Sequence, residues 1–271
     1  MCHHLCPAGS DQPPRRENGS RAMDDGLNGR VAVVTGGAGE LGRRAARRLA
    51  GLGARVALLD VADPAAAVAE TGAESGHVAD LCDEREVDGA FAAVLGRYGR
   101  LDVLVNNAGL HVGVPRVPFW EIDGDTWDRV VTTNVRSAFL CAKAASAPMR
   151  EARSGRIVNL GSDTAAFGMA RFLHYVTAKA AVVGMTRSLA RELGPYGIAV
   201  NAVSPGAVRT SGNLDALGPD GFARVVEGQC LAEPIGSDDV ADAVAYLCGP
   251  GARMVTGQVL AVNGGATMSA F

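Results

Sequence analysis

The residues best suited to chemistry are Tyr175 and Lys179, in the run Tyr-Val-Thr-Ala-Lys. Four apart on a helix, they share one face, a turn from each other. An ammonium beside a phenol favours the phenolate and is expected to draw the tyrosine pKa down from about 10 towards neutrality. A phenol tuned in that way exchanges a proton with an alcohol or ketone at working pH. The pair also fits a packed ring beside a solvated amine. The elements that position it have to decide between the two.

Those elements alternate. Residues 30–35 form a short apolar run that stops at Gly36-Gly-Ala-Gly39-Glu-Leu41-Gly42, and a helical stretch follows to about residue 52. Strand, glycine-rich turn and helix bring a pyrophosphate to a helix N-terminus, and glycines let the backbone approach it. A second strand, 54–60, ends in Asp60, about 20 residues downstream, where a carboxylate hydrogen-bonds an adenosine ribose and repels a 2′-phosphate. This favours NAD over NADP. Asp63-Pro64 predicts a helix start. Residues 77–81 read as a third strand, with Asp80 and Leu81 at its end. Asp83 to Glu86 carries a capping signature for a helix reaching about residue 98. A fourth strand, 101–106, leads into Asn107-Ala108-Gly109.

One long helix is expected over about 126–149, with Asn134 inside it. Asparagine is a poor helix-interior residue, so its side chain should bond something specific. A fifth strand, 155–160, leads to Ser162. The helix at about 173–193 holds Tyr175 and Lys179. A sixth strand, 197–203, closes on Ser204-Pro205-Gly206. Residues 207–234 read as loop plus a helix near 220–229, Ser237 as the cap of a further helix, and 258–262 as a seventh strand. Such alternation predicts a doubly wound parallel sheet of about seven strands with helices on both faces. Ligands of such sheets bind at the carboxyl ends of the strands, where the glycine-rich turn, Asp60, Asn107–Gly109, Ser162 and Pro205-Gly206 all fall.

Composition bounds the rest. The 271 residues are 48% hydrophobic, include 35 glycines and carry a formal net charge of −3. That charge gives no general attraction to nucleic acid or acidic membranes. No apolar run reaches the roughly 20 residues that span a bilayer. Residues 1–28 are polar, rich in Pro, Gly and Arg, and predict a disordered tail ahead of a single domain, 29–271. Met23 is a candidate natural start, and Asn18-Gly-Ser is a glycosylation sequon only in a secreted chain. The six cysteines, at 2, 6, 82, 141, 230 and 248, lack a paired framework and are expected to be reduced thiols of a cytoplasmic protein. Cys2-His-His-Leu-Cys6 has no second ligand pair, so no metal site is expected.

Taken in order, these motifs resemble the short-chain dehydrogenase/reductase family, in its short single-domain branch, over about residues 29–267. The resemblance rests on the Thr35–Gly42 turn, Asp80, Asn106-Asn107-Ala108-Gly109, Asn134, Ser162, Tyr175/Lys179, Pro205-Gly206 and the segment from Val255 to Gly265. It implies a Rossmann-type fold. It also implies that Tyr175 is the proton donor or acceptor, and that Lys179 lowers its pKa and holds the nicotinamide ribose. Ser162 would bond the substrate oxygen and Asn134 a water relay to Lys179. NAD would be held by Gly36, Gly39, Leu41, Gly42, Asp60, Asp80, Leu81, Asn107, Ala108, Gly109, Pro205, Gly206, Val208 and Thr210. A homotetramer or dimer is implied as well. Thr210 also fits a helix cap and Ser162 a turn.

The turn departs from the short branch, because Glu40 stands where a glycine is usual. A carboxylate at a helix N-terminus competes with a bound anion, so Glu40 is expected to point to solvent and to weaken cofactor binding modestly. The leading expectation is an NAD-dependent oxidoreductase of secondary alcohols and ketones. A second is an NADPH-dependent ketoreductase of carrier-bound acyl chains, with Arg136, Arg150, Arg153 and Arg171 as a basic entrance. A third is a catalytically silent dinucleotide sensor. Leu214, Leu217, Phe222 and Val226 are candidates for an apolar lid. His111, Asp163, Phe167 and Phe172 are candidates for the entrance, and His174 is expected to be solvated.

Overall fold

The computed structural model describes residues 26–268. In chain order the regular elements are β1 (Val31–Thr35), α1 (Glu40–Gly51), β2 (Arg55–Asp60), α2 (Ala65–Thr71), β3 (Ser75–Val78), α3 (Glu84–Tyr98), β4 (Val103–Asn106), α4 (Gly124–Val131), α5 (Ser137–Ala152), β5 (Gly155–Leu160), α6 (Thr164–Phe167), α7 (Leu173–Leu193), β6 (Ile198–Pro205), α8 (Ser211–Glu227), α9 (Ser237–Cys248) and β7 (Val259–Val262). The strands form one sheet in the order β3-β2-β1-β4-β5-β6-β7, and every pairing is parallel. β1, β4, β5 and β6 are buried along their whole length, as continuous apolar strands covered on both faces should be. One face packs its Ala32, Val34, Val56 and Leu58 against α1 and α9. The other packs Val31, Val33, Ala57 and Leu104 against α3, α5 and α7. The doubly wound sheet read from the alternation is the fold observed.

Local signals explain most of the boundaries. Asp83 caps α3 by accepting from Arg85 N and Glu86 N, while Glu86 reaches back to Asp80 N at 2.7 Å. Asp63 accepts from Ala65 N at the start of α2. Four expectations need correction. The tail expected over 1–28 falls mostly outside the described residues, but Leu27 is fully buried and donates to Leu52 O at 2.7 Å. Ordered packing therefore begins before residue 29. The helix expected over 126–149 is interrupted: α4 and α5 are separated by a π-helical turn, Thr132–Arg136. The helix expected near 220–229 extends back to Ser211, with a kink at Gly218, whose φ of +65° suits glycine. At α9 the N-cap is Gly236, and Ser237 is the first helical residue.

Candidate active site

A cleft of about 1280 Å³ runs along the carboxyl ends of the strands. It is lined by Gly36, Gly39, Leu41, Gly42, Asp60, Asp80, Leu81, Asn107, Ala108, Gly109, Asn134, Ser162, Tyr175, Lys179, Pro205, Gly206, Val208 and Thr210. Each catalytic and cofactor-binding candidate read from the sequence reaches this one cavity, although they come from eight stretches of chain.

The glycine-rich end is built by close approach. A Cβ on Gly36 would lie 2.8 Å from Ala108 Cα, and one on Gly42 would collide with the Gly36 carbonyl oxygen. Gly36 also has φ +63°, open to glycine without strain. Thr35 Oγ1 accepts from Asn107 N and Ala108 N, both at 3.0 Å, and Asn107 Nδ2 donates to Thr35 O and Gly36 O. The turns after β1 and β4 are thereby locked together and leave a smooth backbone concavity at the N-terminus of α1. That shape and polarity suit a pyrophosphate. Asp60 is aimed at the same place: its carboxylate accepts from Ala38 N at 2.9 Å and Ala62 N at 3.0 Å.

Glu40 lies at this end too, and it does not simply point to solvent. Its carboxylate accepts from Ser237 Oγ at 2.8 Å and from Ser211 N at 3.4 Å. The side chain expected to be free therefore joins α1 to the first residues of α8 and α9.

At the other end Tyr175 is buried, 7% exposed, with Lys179 at 5%. Lys179 Nζ lies 5.6 Å from the Tyr175 ring centroid and donates to Leu160 O at 2.9 Å. Burial dominates both groups. It pushes the Tyr175 phenol up to about 12, against the opposing effects of hydrogen bonding with Ser162 and of the Arg116 charge. It draws the Lys179 ammonium down to about 8. The lysine does not carry the phenol towards neutrality: desolvation is the largest influence on Tyr175, and the opposing ones come from Ser162 and Arg116. Ser162 Oγ pairs with Thr164 Oγ1 at 3.0 Å and accepts from Thr164 N.

The π turn explains Asn134. The extra residue swings its side chain out of register, so that Nδ2 donates to both Val130 O and Leu110 O. Its Oδ1 is buried without a partner. A methyl group on Gly109 would sit 2.6 Å from that oxygen and 3.3 Å from Lys179 Nζ. The amide oxygen and the ammonium thus flank the same glycine.

The substrate-facing wall is aromatic. Phe172 stacks on Tyr175, centroids 4.7 Å apart, and His111 meets Tyr175 edge-on at 5.2 Å. The 110–116 loop that carries His111 abuts α8, where a Cβ on Gly212 would lie 2.6 Å from Val112. Of the lid candidates Leu217 lines the cleft, whereas Phe222 is buried and Val225 faces the cavity rather than Val226. His111, Asp163, Phe167 and Phe172 line it as expected. His174 does not: it is fully buried, accepts from Tyr175 N through Nδ1, and leaves Nε2 unpartnered. Arg116, which the sequence did not single out, also lines the cleft. Arg136, Arg150, Arg153 and Arg171 do not.

The family model described as Enoyl-(Acyl carrier protein) reductase matches residues 36–267. The chain belongs to the short-chain dehydrogenase/reductase family. It is 39% identical over 250 residues to cis-4-hydroxycyclohexanecarboxylate dehydrogenase of Sinomonas cyclohexanicum, covering 90% of this chain and 99% of that one. It is 35% identical to D-xylose 1-dehydrogenase of Caulobacter vibrioides, covering 91% and 99%. Among solved structures, levodione reductase superposes with a TM-score of 0.82 at 32% identity, covering 88% of this chain and 97% of that one. NAD+-bound xylitol dehydrogenase superposes at 0.83 and 31%, covering 88% and 99%. The protein is accordingly an oxidoreductase of the type that acts on secondary alcohols with a nicotinamide cofactor. Among the described residues no helix is long and apolar enough to cross a membrane, and no cluster of His, Cys, Asp or Glu could hold a metal ion.

Proposed function

We propose that the protein is an NAD-dependent dehydrogenase of a secondary alcohol, or the corresponding ketone reductase, with Tyr175 as the general acid/base. The observation that carries this is the meeting of a buried phenol, Ser162 and Lys179 at one end of a cleft whose other end is a glycine-rich concavity. The concavity fits a dinucleotide because glycines line it at the N-terminus of α1. When bound, NAD supplies the hydride acceptor at nicotinamide C4. The chain's own residues do the rest. Ser162 steadies the substrate oxygen, and Tyr175 takes its proton during oxidation or returns it during reduction. Lys179 is the cation beside the phenolate formed in that step. Asn134 presents an unsatisfied amide oxygen next to Lys179, suited to hold a water that carries the proton outwards.

Asp60 supports NAD over NADP. Its carboxylate stands at the end of β2, and Arg43, which approaches this end through Ala38 O, is ion-paired with Glu70 at 2.8 Å. The Arg43 guanidinium is thus already paired and does not await a 2′-phosphate. The ketoreductase of carrier-bound acyl chains is less favoured, since the four arginines expected at its entrance are not among the residues that line the cleft. Intact proton-transfer groups argue against a silent sensor. We further propose a cytoplasmic homo-oligomer of two or four chains. A panel of cyclic and open-chain secondary alcohols, followed at the nicotinamide absorbance with NAD and with NADP in parallel, tests the assignment. Oxidation faster with NAD is expected. Cofactor binding without turnover of any alcohol or ketone would leave the sensor in its place.

A further inference from the structure

Arg116 is a cation in an aromatic wall with nothing to balance it. It is half-buried and lines the cleft on the Tyr175 side. Its guanidinium carbon lies 5.0 Å from the Phe172 ring centroid, and Phe172 is 1% exposed and stacked on Tyr175. Its charge is felt at both His111 and Tyr175, where it favours the deprotonated forms. Yet none of the ion pairs among the described residues includes it. A guanidinium offers five donors in a planar fork. Held over a ring and partly desolvated, such a group ordinarily has an acid.

The acids of the cleft are committed elsewhere. Asp60 accepts from Ala38 N and Ala62 N, Asp80 from Cys82 N, Glu40 from Ser237, and Asp163 from Thr267. We infer that the missing acid belongs to the substrate: the alcohol oxidised here is a hydroxy acid, its carboxylate clamped by Arg116 and its carbinol presented to Tyr175 and Ser162. Arg116 lies over the Phe172 ring, so the carboxylate would sit beside that ring, with an apolar segment between it and the carbinol. Met169 and Phe172, packed with Tyr175 in one apolar cluster, suit a ring or short hydrocarbon chain in that interval. This substrate class rests on the dehydrogenase reading of the cleft. The clamp itself is testable without turnover.

The test is calorimetric titration of the NADH-loaded protein with cyclohexanecarboxylate and with its methyl ester, a neutral molecule of similar shape. The acid should bind about 10- to 100-fold more tightly, the range of a charge-assisted bidentate contact. Arg116→Gln should abolish that difference and Arg116→Lys retain part of it, whereas Arg150→Gln, outside the cleft, should retain all of it. Added salt should weaken the acid and not the ester, which keeps the test open on wild-type protein if the Gln variant fails to fold. Equal binding of acid and ester by the wild type, or a preference that survives in Arg116→Gln, overturns the clamp. A protein that prefers the acid through Arg116 but oxidises only neutral alcohols keeps the clamp and overturns the hydroxy-acid substrate, whereas one that oxidises no alcohol at all sinks the dehydrogenase reading instead.

Discussion

The Glu40 carboxylate accepts a hydrogen bond from the Ser237 hydroxyl at 2.8 Å, across 197 positions of sequence. The bond turns a residue that would otherwise oppose an anion into a strut between α1 and α9. Glu40→Gly removes both effects. Losing the negative charge at the helix N-terminus should tighten NAD binding by about 2- to 5-fold. Losing the hydrogen bond should lower the melting temperature by about 2–4 °C. Calorimetry and thermal melts read the two separately. An unchanged dissociation constant would mean that the carboxylate's own bonds already hold its charge away from the cofactor.

Tyr175→Phe keeps the ring that packs on Phe172 and His111 and deletes only the hydroxyl. Turnover should fall by about 10²- to 10⁴-fold, the usual worth of a positioned general acid or base. Affinity for NAD should change little. A variant that retains most of its kcat would remove Tyr175 from the proton transfer.

Lys179 makes stability depend on pH in a predictable direction. Its ammonium is drawn down to about 8 in the folded protein, from the ordinary 10.5. Between those values the unfolded lysine holds a proton that the folded one has released, so stability rises with pH. Tyr175 acts oppositely above about pH 10, because its folded phenol is pushed up to about 12 and keeps a proton that the unfolded chain has lost. Urea unfolding from about pH 8 to about pH 10 should show a gain of up to roughly 2–3 kcal/mol in wild type relative to Lys179→Met. Parallel curves for the two proteins would contradict the depressed lysine.

Gly109 packs closely against Asn134 and Lys179, two of the groups proposed to relay the proton. A methyl there would press on Asn134 Oδ1 at 2.6 Å, and that amide is held by Leu110 O and Val130 O. Gly109→Ala should fold normally, lose at least about 10-fold in kcat by displacing groups at the reacting centre, and change KM less than kcat. A proportional rise in KM with kcat intact would place Gly109 in substrate binding instead.

The sheet and the positions of the proposed catalytic and cofactor-binding residues were legible in sequence because they depend on short-range signals. Apolar runs mark the strands, glycines mark the close approaches, and the parallel topology puts strand ends on one rim. What escaped depends on contacts distant in the chain. Nothing near Glu40 announces Ser237. His174 stands before Tyr175 and reads as a surface imidazole until Phe172, 5.7 Å away, is seen beside it. Arg116 lies in a loop with no periodicity to betray which way it faces. The Tyr175 pKa went the other way because spacing reports the neighbouring charge and not the loss of water. The π turn left one hint, an asparagine in a poor place for a helix.

That turn has a geometric consequence of its own. An α-helix rotates about 100° per residue, so the supernumerary residue in Thr132–Arg136 offsets the inward side of α5 from that of α4 by the same angle. Trim one residue there, and either Asn134 swings off Leu110 or Ser137–Ala152 turns its apolar stripe away from the sheet. The length of this segment is pinned from both ends, so insertions and deletions that the surface loops absorb would here uncouple the catalytic rim from the hydrophobic interior.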